Sequence, residues 1–160
     1  HDGGIRTAVD AWLADPAVAK ARYGPIASWD VSEVTNLSYL FVEQANFNED
    51  LSRWNVSNVE DMENMFDGAT SFNGDLSSWN VSNVEDMNCM FYNVTSFNGD
   101  LSSWNVSNVK HMNSMFNGAT SFDRQLGGAW ATSTATKSVM FYTSPGTIAG
   151  KTKRANGTIA

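Results

Sequence analysis

The sequence predicts an α/β repeat solenoid: a coil of short strands and short helices with an N-terminal helical cap. Three observations predict it. Trp29, Trp54, Trp79 and Trp104 recur every 25 residues, as do Phe41, Phe66, Phe91, Phe116 and Phe141, and again Phe47, Phe72, Phe97 and Phe122. A fixed period of this length marks stacked supersecondary units that share one continuous core. Within each unit the apolar spacing changes from two to a helix-like pattern, and the first 25 residues lie outside the register. The expected organisation is a helical cap over 1–28, repeats over 29–142 and a C-terminal cap or tail over 143–160.

The cap comes first. Thr7 and Asp10 form a capping-box-like start, with Asp in place of Glu or Gln, followed by Val9, Trp12 and Leu13 on one helical face. Asp15-Pro16 then opens a second short helix that stops at Gly24-Pro25. Together they predict a helical lid over the first repeat.

The unit Leu76 to Asp100, LSSWNVSNVEDMNCMFYNVTSFNGD, stands for the rest. Leu76, Trp79 and Val81 follow the L-x-x-L-x-L arrangement of a leucine-rich repeat, and Trp79 and Val81 share one face of a predicted strand. Val84, Met87, Met90, Phe91 and Val94 fall along one side of a predicted helix. Ser82 and Asn83 precede that helix, and Glu85 with Asp86 suits the positive end of its dipole, as do Glu33 and the Glu60-Asp61 pair. Ser96 to Asp100 is turn chemistry, in which Asn98-Gly99 tolerates positive φ while Phe97 anchors the loop. One copy buries too little apolar surface to offset its backbone entropy, so copies are expected to stack. Leu126 and Phe141 keep the 25-residue spacing, whereas Trp130 is displaced by one residue beside Gly127 and Gly128. This last, degenerate unit is expected to close the stack.

Composition narrows the function classes. The 160 residues are 42% hydrophobic and 12% aromatic, which argues against disorder. A net charge of −7 disfavours a nucleic-acid binder, which carries a basic patch or stripe. Thirteen of seventeen acids lie between Asp30 and Asp100, whereas Lys137, Lys151, Lys153 and Arg154 make the C-terminal part basic, read as a solvated tail. The single cysteine, Cys89, excludes an internal disulfide framework and a multi-thiolate metal site. No run approaches the roughly 18 apolar residues of a membrane span, so no membrane insertion is expected. The chain opens at His1 without a signal-like apolar stretch, as a processed or trimmed start would.

The motif MFxGATSFNGDLSSWNVSNVxxMxxMF, at Met65 to Phe91 and again, with Asn93-Val94 in place of Gly-Ala, from Met90 to Phe116, resembles the BspA-like leucine-rich-repeat surface proteins, a family also filed as a Mycoplasma-type domain of unknown function. The resemblance covers Trp29 to about Phe141. It implies a leucine-rich-repeat-like solenoid secreted or displayed at the cell surface, with adhesins and host-interaction proteins among the relatives. It carries over no catalytic residues and no cofactor.

In such a stack, outward strand positions form rows: Ser28, Arg53, Ser78 and Ser103; Asp30, Asn55, Asn80 and Asn105; Ser32, Ser57, Ser82 and Ser107. Small polar groups at strand spacing, roughly 4.7 to 4.9 Å, suit an extended glycan or a protein surface, while serving solubility alone is the plainer alternative. The expected activity is therefore non-enzymatic extracellular recognition or adhesion. The rivals are a structural spacer in a larger surface protein and an ice- or mineral-binding template.

Other constellations are weaker. Asp50, Asp75 and Asp100 beside Asn48, Asn73, Asn98 and Asp123 offer calcium-like oxygens without the dense grouping of a calcium loop, and turn capping is the expected role. N-x-S/T sequons stand at Asn36, Asn55, Asn80, Asn93, Asn105 and Asn156; glycans on the strand rows would crowd out a ligand. His1 and His111, and the acids Glu60, Glu63 and Asp67, form no recognisable catalytic arrangement. Met62, Met65, Met87, Met90, Met112, Met115 and Met140 read as adaptable core filler.

Overall fold

The computed structural model describes residues 2–160. Helix α1, Asp2–Ala14, buries Ile5, Ala8, Val9 and Trp12, the stripe that a helix lays against a core. It begins earlier than Thr7 and Asp10 predict: Thr7 lies inside it and its hydroxyl donates to Gly3 O at 3.1 Å. Helix α2, Pro16–Tyr23, takes Asp15 as its N-cap, whose carboxylate accepts from the amides of Ala17 and Val18, and ends at Gly24. A 3-10 turn, Ile26–Ser28, leads into the repeats. Trp12 meets Trp29 edge to face at 5.7 Å, which seats the helices on the first repeat.

The repeats differ from the expected strand and helix. The segment Val84–Val94 is a run of turns, and so is Leu76–Val84. Cys89 and Asn93 have φ of 55°, a left-handed conformation that an α-helix does not admit. The spacing that looked helical is the spacing of turn ends. Trp79 N–H donates to Leu76 O at 3.1 Å, Val84 to Val81 at 3.0 Å, Met90 to Met87 at 3.3 Å, Val94 to Phe91 at 3.2 Å and Phe97 to Val94 at 3.2 Å. Both ends of each of these turns are buried. An apolar-x-x-apolar pattern is thus the signature of successive i→i+3 turns, and it overlaps with helical spacing.

The same backbone alternates its donors. Leu37, Tyr39, Phe41 and Glu43 give their N–H groups to Asp61, Glu63, Met65 and Asp67 carbonyls of the next unit at 2.6 to 2.9 Å. Leu40, Val42 and Gln44 give theirs back to Leu37, Tyr39 and Phe41 at 3.2 to 3.3 Å. Alternate positions bond along the stack and the positions between them close turns, so this irregular backbone leaves few donors idle. Single parallel bridges fix the register, Asn36 to Asp61 to Asp86 to His111 to Thr136, one unit apart. The third residue of the turn closed by Met90 is Cys89, and its counterparts Tyr39, Asn64, Ser114 and Val139 also have positive φ, as a type II turn requires.

Side chains align with the same register. Phe41, Phe66, Phe91, Phe116 and Phe141 stack at 5.4 to 5.6 Å, and Phe47, Phe72, Phe97 and Phe122 at 5.9 to 6.1 Å. Trp79 Nε1 donates to Leu51 O and Trp104 Nε1 to Leu76 O, each at 2.9 Å. Trp130 reaches the equivalent Leu101 O at 2.9 Å from a short helix α3, Ala129–Thr132, which absorbs its one-residue displacement. The methionine row is buried among these rings.

The last unit is followed by a tail that folds back. Strand β1, Gln125–Leu126, pairs in parallel with β2, Thr147–Ile148. Phe141 N–H donates to Gly157 O at 3.0 Å and Val139 N–H to Thr158 Oγ1 at 2.8 Å, so the tail supplies acceptors that a further unit would have offered. The solvated-tail reading fails for Lys137 and Lys153. Lys137 Nζ donates to Ser133 O and Ala135 O at 2.9 Å, and Lys153 Nζ to Ser144 O at 2.5 Å and Gly146 O at 3.0 Å. Burial lowers the pKa of both ammonium groups.

Candidate recognition surface

The rows singled out from the sequence lie along one side of the stack. Ser28, Arg53, Ser78 and Ser103 are exposed, as are Asp30, Asn55, Asn80 and Asn105; Ser32, Ser57 and Ser82 are half-buried and Ser107 is exposed. They stand on turns rather than on a strand, because Leu76–Trp79 and Val81–Val84 close on either side of Asn80.

Much of their hydrogen-bonding capacity is already used. The side-chain oxygens of Asn55, Asn80 and Asn105 accept from the amides of Ser57, Ser82 and Ser107 at 3.1 Å, and Asp30 accepts from Ser32 at 3.0 Å. Ser78 Oγ donates to Ser52 O at 2.8 Å and Ser103 Oγ to Ser77 O at 3.0 Å. What remains for a ligand is the amide nitrogens of Asn55, Asn80 and Asn105, the hydroxyls of Ser57, Ser82 and Ser107, whose amides alone are engaged here, and the guanidinium of Arg53.

Asp50, Asp75 and Asp100 cap turns in the same way, accepting from Ser52, Ser77 and Ser102 amides at 2.9 Å. Hydrogen bonds from each serine hydroxyl, then from its amide, hold these carboxyls below the ordinary carboxylate range, and Asp30 likewise. Among the described residues no three acidic, histidine or cysteine side chains gather as a metal site.

The sequons differ in access. Asn36 is half-buried: its Oδ1 accepts from Arg6 Nη2 at 2.9 Å and Ser38 Oγ at 2.6 Å, and its Nδ2 donates to Asp61 at 3.2 Å. Asn55, Asn80, Asn93, Asn105 and Asn156 are exposed. His1 lies outside the described residues, and His111 is an exposed bridge position. Glu63 lies near Tyr39 and Asp67 near Glu43, whereas Glu60 lines a groove that neither of them enters. Burial, then Glu43, raises the Asp67 pKa, and burial, then Asp67, raises that of Cys89.

Beside the serine rows runs a groove of about 710 Å³ that sequence reasoning missed as a site. Asn58, Asn83 and Asn108 line it with Glu33, Thr35, Glu60 and Glu85. Each asparagine donates its Nδ2 to the previous unit, to Ser32, Ser57 and Ser82 carbonyls at 2.7 Å. Glu85 forms an exposed salt bridge with Lys110 at 2.6 Å. The signal was present in the recurring Asn-Val dipeptides at Asn58, Asn83 and Asn108, but their acidic neighbours read as helix-start charges. The turns instead place both rows on one open surface.

No helix among the described residues is long and apolar enough to cross a membrane. Neither a search of curated proteins nor one of solved structures returns a match. A family model does match, over residues 15–130, and it spans the second cap helix and every well-formed repeat. The chain therefore belongs to the family described as Mycoplasma protein of unknown function, DUF285.

Proposed function

We propose that this chain is a non-enzymatic recognition module, a capped solenoid of turn-built coils that binds an extracellular protein or glycan along its polar side. The observation that carries this reading is the groove lined by Asn58, Asn83 and Asn108 beside the exposed Asn55, Asn80 and Asn105. Equivalent groups recur at one-coil intervals there, and a chain-like ligand meets the same chemistry at each step. Secretion or cell-surface display accords with the resemblance of the repeats to the BspA-like surface proteins. The core favours no active site: its aromatic and methionine rows are packed and buried.

A structural spacer is the second reading, favoured by the internal hydrogen bonds that occupy the Asn and Ser rows. Glycan-array and pull-down binding separates the two. Saturable binding that Asn80→Arg and Glu60→Arg abolish, with an unchanged unfolding midpoint, supports recognition. Absence of saturable binding on both platforms supports the spacer.

A further inference from the structure

Four Asn-Gly dipeptides occur, at Asn73, Asn98, Asn117 and Asn156, and the fold treats them differently. Gly118 N–H donates to Tyr142 O at 2.9 Å and Gly157 N–H to Arg154 O at 2.8 Å, whereas the amides of Gly74 and Gly99 have no acceptor among the described residues. Both latter glycines lack positive φ. They are demanded by space: a Cβ on Gly74 would come 2.9 Å from the Phe72 ring, and one on Gly99 the same distance from Phe97. The phenylalanine ladder thus imposes glycine after Asn73 and Asn98, and with it the least hindered backbone nitrogen that can follow an asparagine.

A second feature activates the side chains. Asn98 N–H donates to Asn73 Oδ1 at 2.9 Å, and Asp123 N–H donates to Asn98 Oδ1 at 3.1 Å. Each amide carbonyl therefore holds a backbone donor where negative charge develops if a nucleophile adds to Cγ, the role of an oxyanion hole. Asn48 has the same donor from Asn73 at 2.9 Å but precedes Glu49, and so serves as an internal control.

We infer that Asn73 and Asn98 are sites of spontaneous deamidation assisted by the fold. The Gly74 nitrogen, losing its proton to a solvent base, forms a bond to Asn73 Cγ. The side-chain nitrogen takes up a proton and leaves as ammonia, which closes a succinimide ring. Water then opens either ring C–N bond to give aspartate or isoaspartate, so one water is consumed, one ammonia is released and nothing is oxidised or reduced. Asn98 reacts likewise through Gly99. A carboxylate oxygen accepts a backbone N–H as an amide oxygen does, so the aspartate product keeps the inter-coil hydrogen bond from Asn98 or Asp123 N–H, while the isoaspartate product lengthens the backbone and breaks the register. Full conversion adds two negative charges to a chain of net −7, beside Asp75 and Asp100.

The test is peptide mapping by mass spectrometry after incubation in ¹⁸O-water at mildly alkaline pH, on the folded protein and on the urea-unfolded chain. In the unfolded chain all four Asn-Gly sites should react at similar rates. In the folded protein Asn73 and Asn98 should react at least as fast as unfolded, while Asn117 and Asn156 slow by about tenfold, since a hydrogen bond must break first. Asn48 should stay intact in both. Folded-state protection of Asn73 and Asn98, or equal rates at all four folded sites, overturns the inference. Asn73→Asp and Asn98→Asp, if folded with an unchanged unfolding midpoint, establish that the aspartate product fits; loss of fold in both shows that it does not.

Discussion

Arg6 donates through Nη1 to Ser38 O at 2.8 Å, and in doing so takes the place of a missing coil. In every later unit the equivalent carbonyl, such as Glu63 O, receives a main-chain N–H from the unit before it, here Tyr39. One helical turn earlier, Asp2 Oδ1 accepts from the Thr35 and Asn36 amides at 2.9 and 3.3 Å, as Thr35 O accepts from Glu60 and Asp61. Asp2 and Arg6 lie on one face of α1 at i and i+4, so the helix presents one acceptor and one donor fork to the open edge. Unpaired edges invite pairing with other chains, and this pair blunts one.

Arg6→Ala should therefore loosen the first coil. The carbonyls of Asn36 and Ser38 lose their donor, at a cost of about 1 to 3 kcal/mol if water does not replace it, while Asn36 Oδ1 keeps its bonds from Ser38. Urea unfolding followed by tryptophan fluorescence should show a lower midpoint with an unchanged slope. Arg6→Lys should fall between, because an ammonium lacks the planar fork. An unchanged midpoint for Arg6→Ala would mean that the edge needs no cap.

The other end depends on Gly157. A Cβ there would strike the Tyr142 amide nitrogen and the Phe141 carbonyl carbon, both backbone atoms, and the residue has φ of 79°. Gly157→Ala should unseat the tail and break the Phe141 to Gly157 hydrogen bond. Hydrogen exchange should then speed at the Val139 and Phe141 amides while those of the central coils stay protected. Uniform acceleration throughout would mean that the tail and coils unfold as one unit.

Val139 is a strained counterpart of Tyr39, Asn64, Cys89 and Ser114. Its φ of 45° is a left-handed conformation that a β-branched residue adopts at a cost of roughly 1 to 2 kcal/mol. Asparagine stands at the same place in the second unit. Val139→Asn should stabilise the protein by about 1 kcal/mol, because the valine side chain is only half-buried and little packing is lost. A thermal midpoint that falls instead would show that the Val139 contacts outweigh the strain.

The period and the core were legible in the sequence because each ladder needs the same side chain at the same place, as Phe91 above Phe66 shows. The second cap helix was legible too, since Asp15-Pro16 and Gly24-Pro25 are local signals. The helix read over Val84–Val94 was not there. Turn ends and helix faces both bury residues three apart, and only the left-handed Cys89 and Asn93, neither a glycine, distinguish them. The groove was hidden for the same reason: Asn83 and Glu85 share an open surface once the segment turns instead of coiling into a helix. Arg6 and Asp2 carried no periodic signal, because a cap residue occurs once.

Acid should weaken the fold, and the sign follows from which carboxyls shift. Asp2, Asp30, Asp50, Asp75 and Asp100 all lie below their ordinary value, because amides and serine or threonine hydroxyls donate to the ionised form. A carboxyl depressed in the folded state contributes stability above its unfolded pKa, and that contribution is lost as pH falls through the folded pKa. Asp67 runs the other way. Burial raises it, so its ionised form opposes folding, and the penalty is relieved as pH falls through its folded value. The five depressed groups act in one direction, and on their account the urea midpoint should drop once pH falls below the ordinary carboxylate value of 3.8. Asp67→Asn should raise the midpoint at neutral pH and leave the acid limb in place, with the Asn64 to Asp67 hydrogen bond rebuilt through the new amide. A midpoint that stays flat into acid would show that the turn-capping hydrogen bonds survive protonation, and the capping role assigned to Asp50, Asp75 and Asp100 would no longer rest on charge.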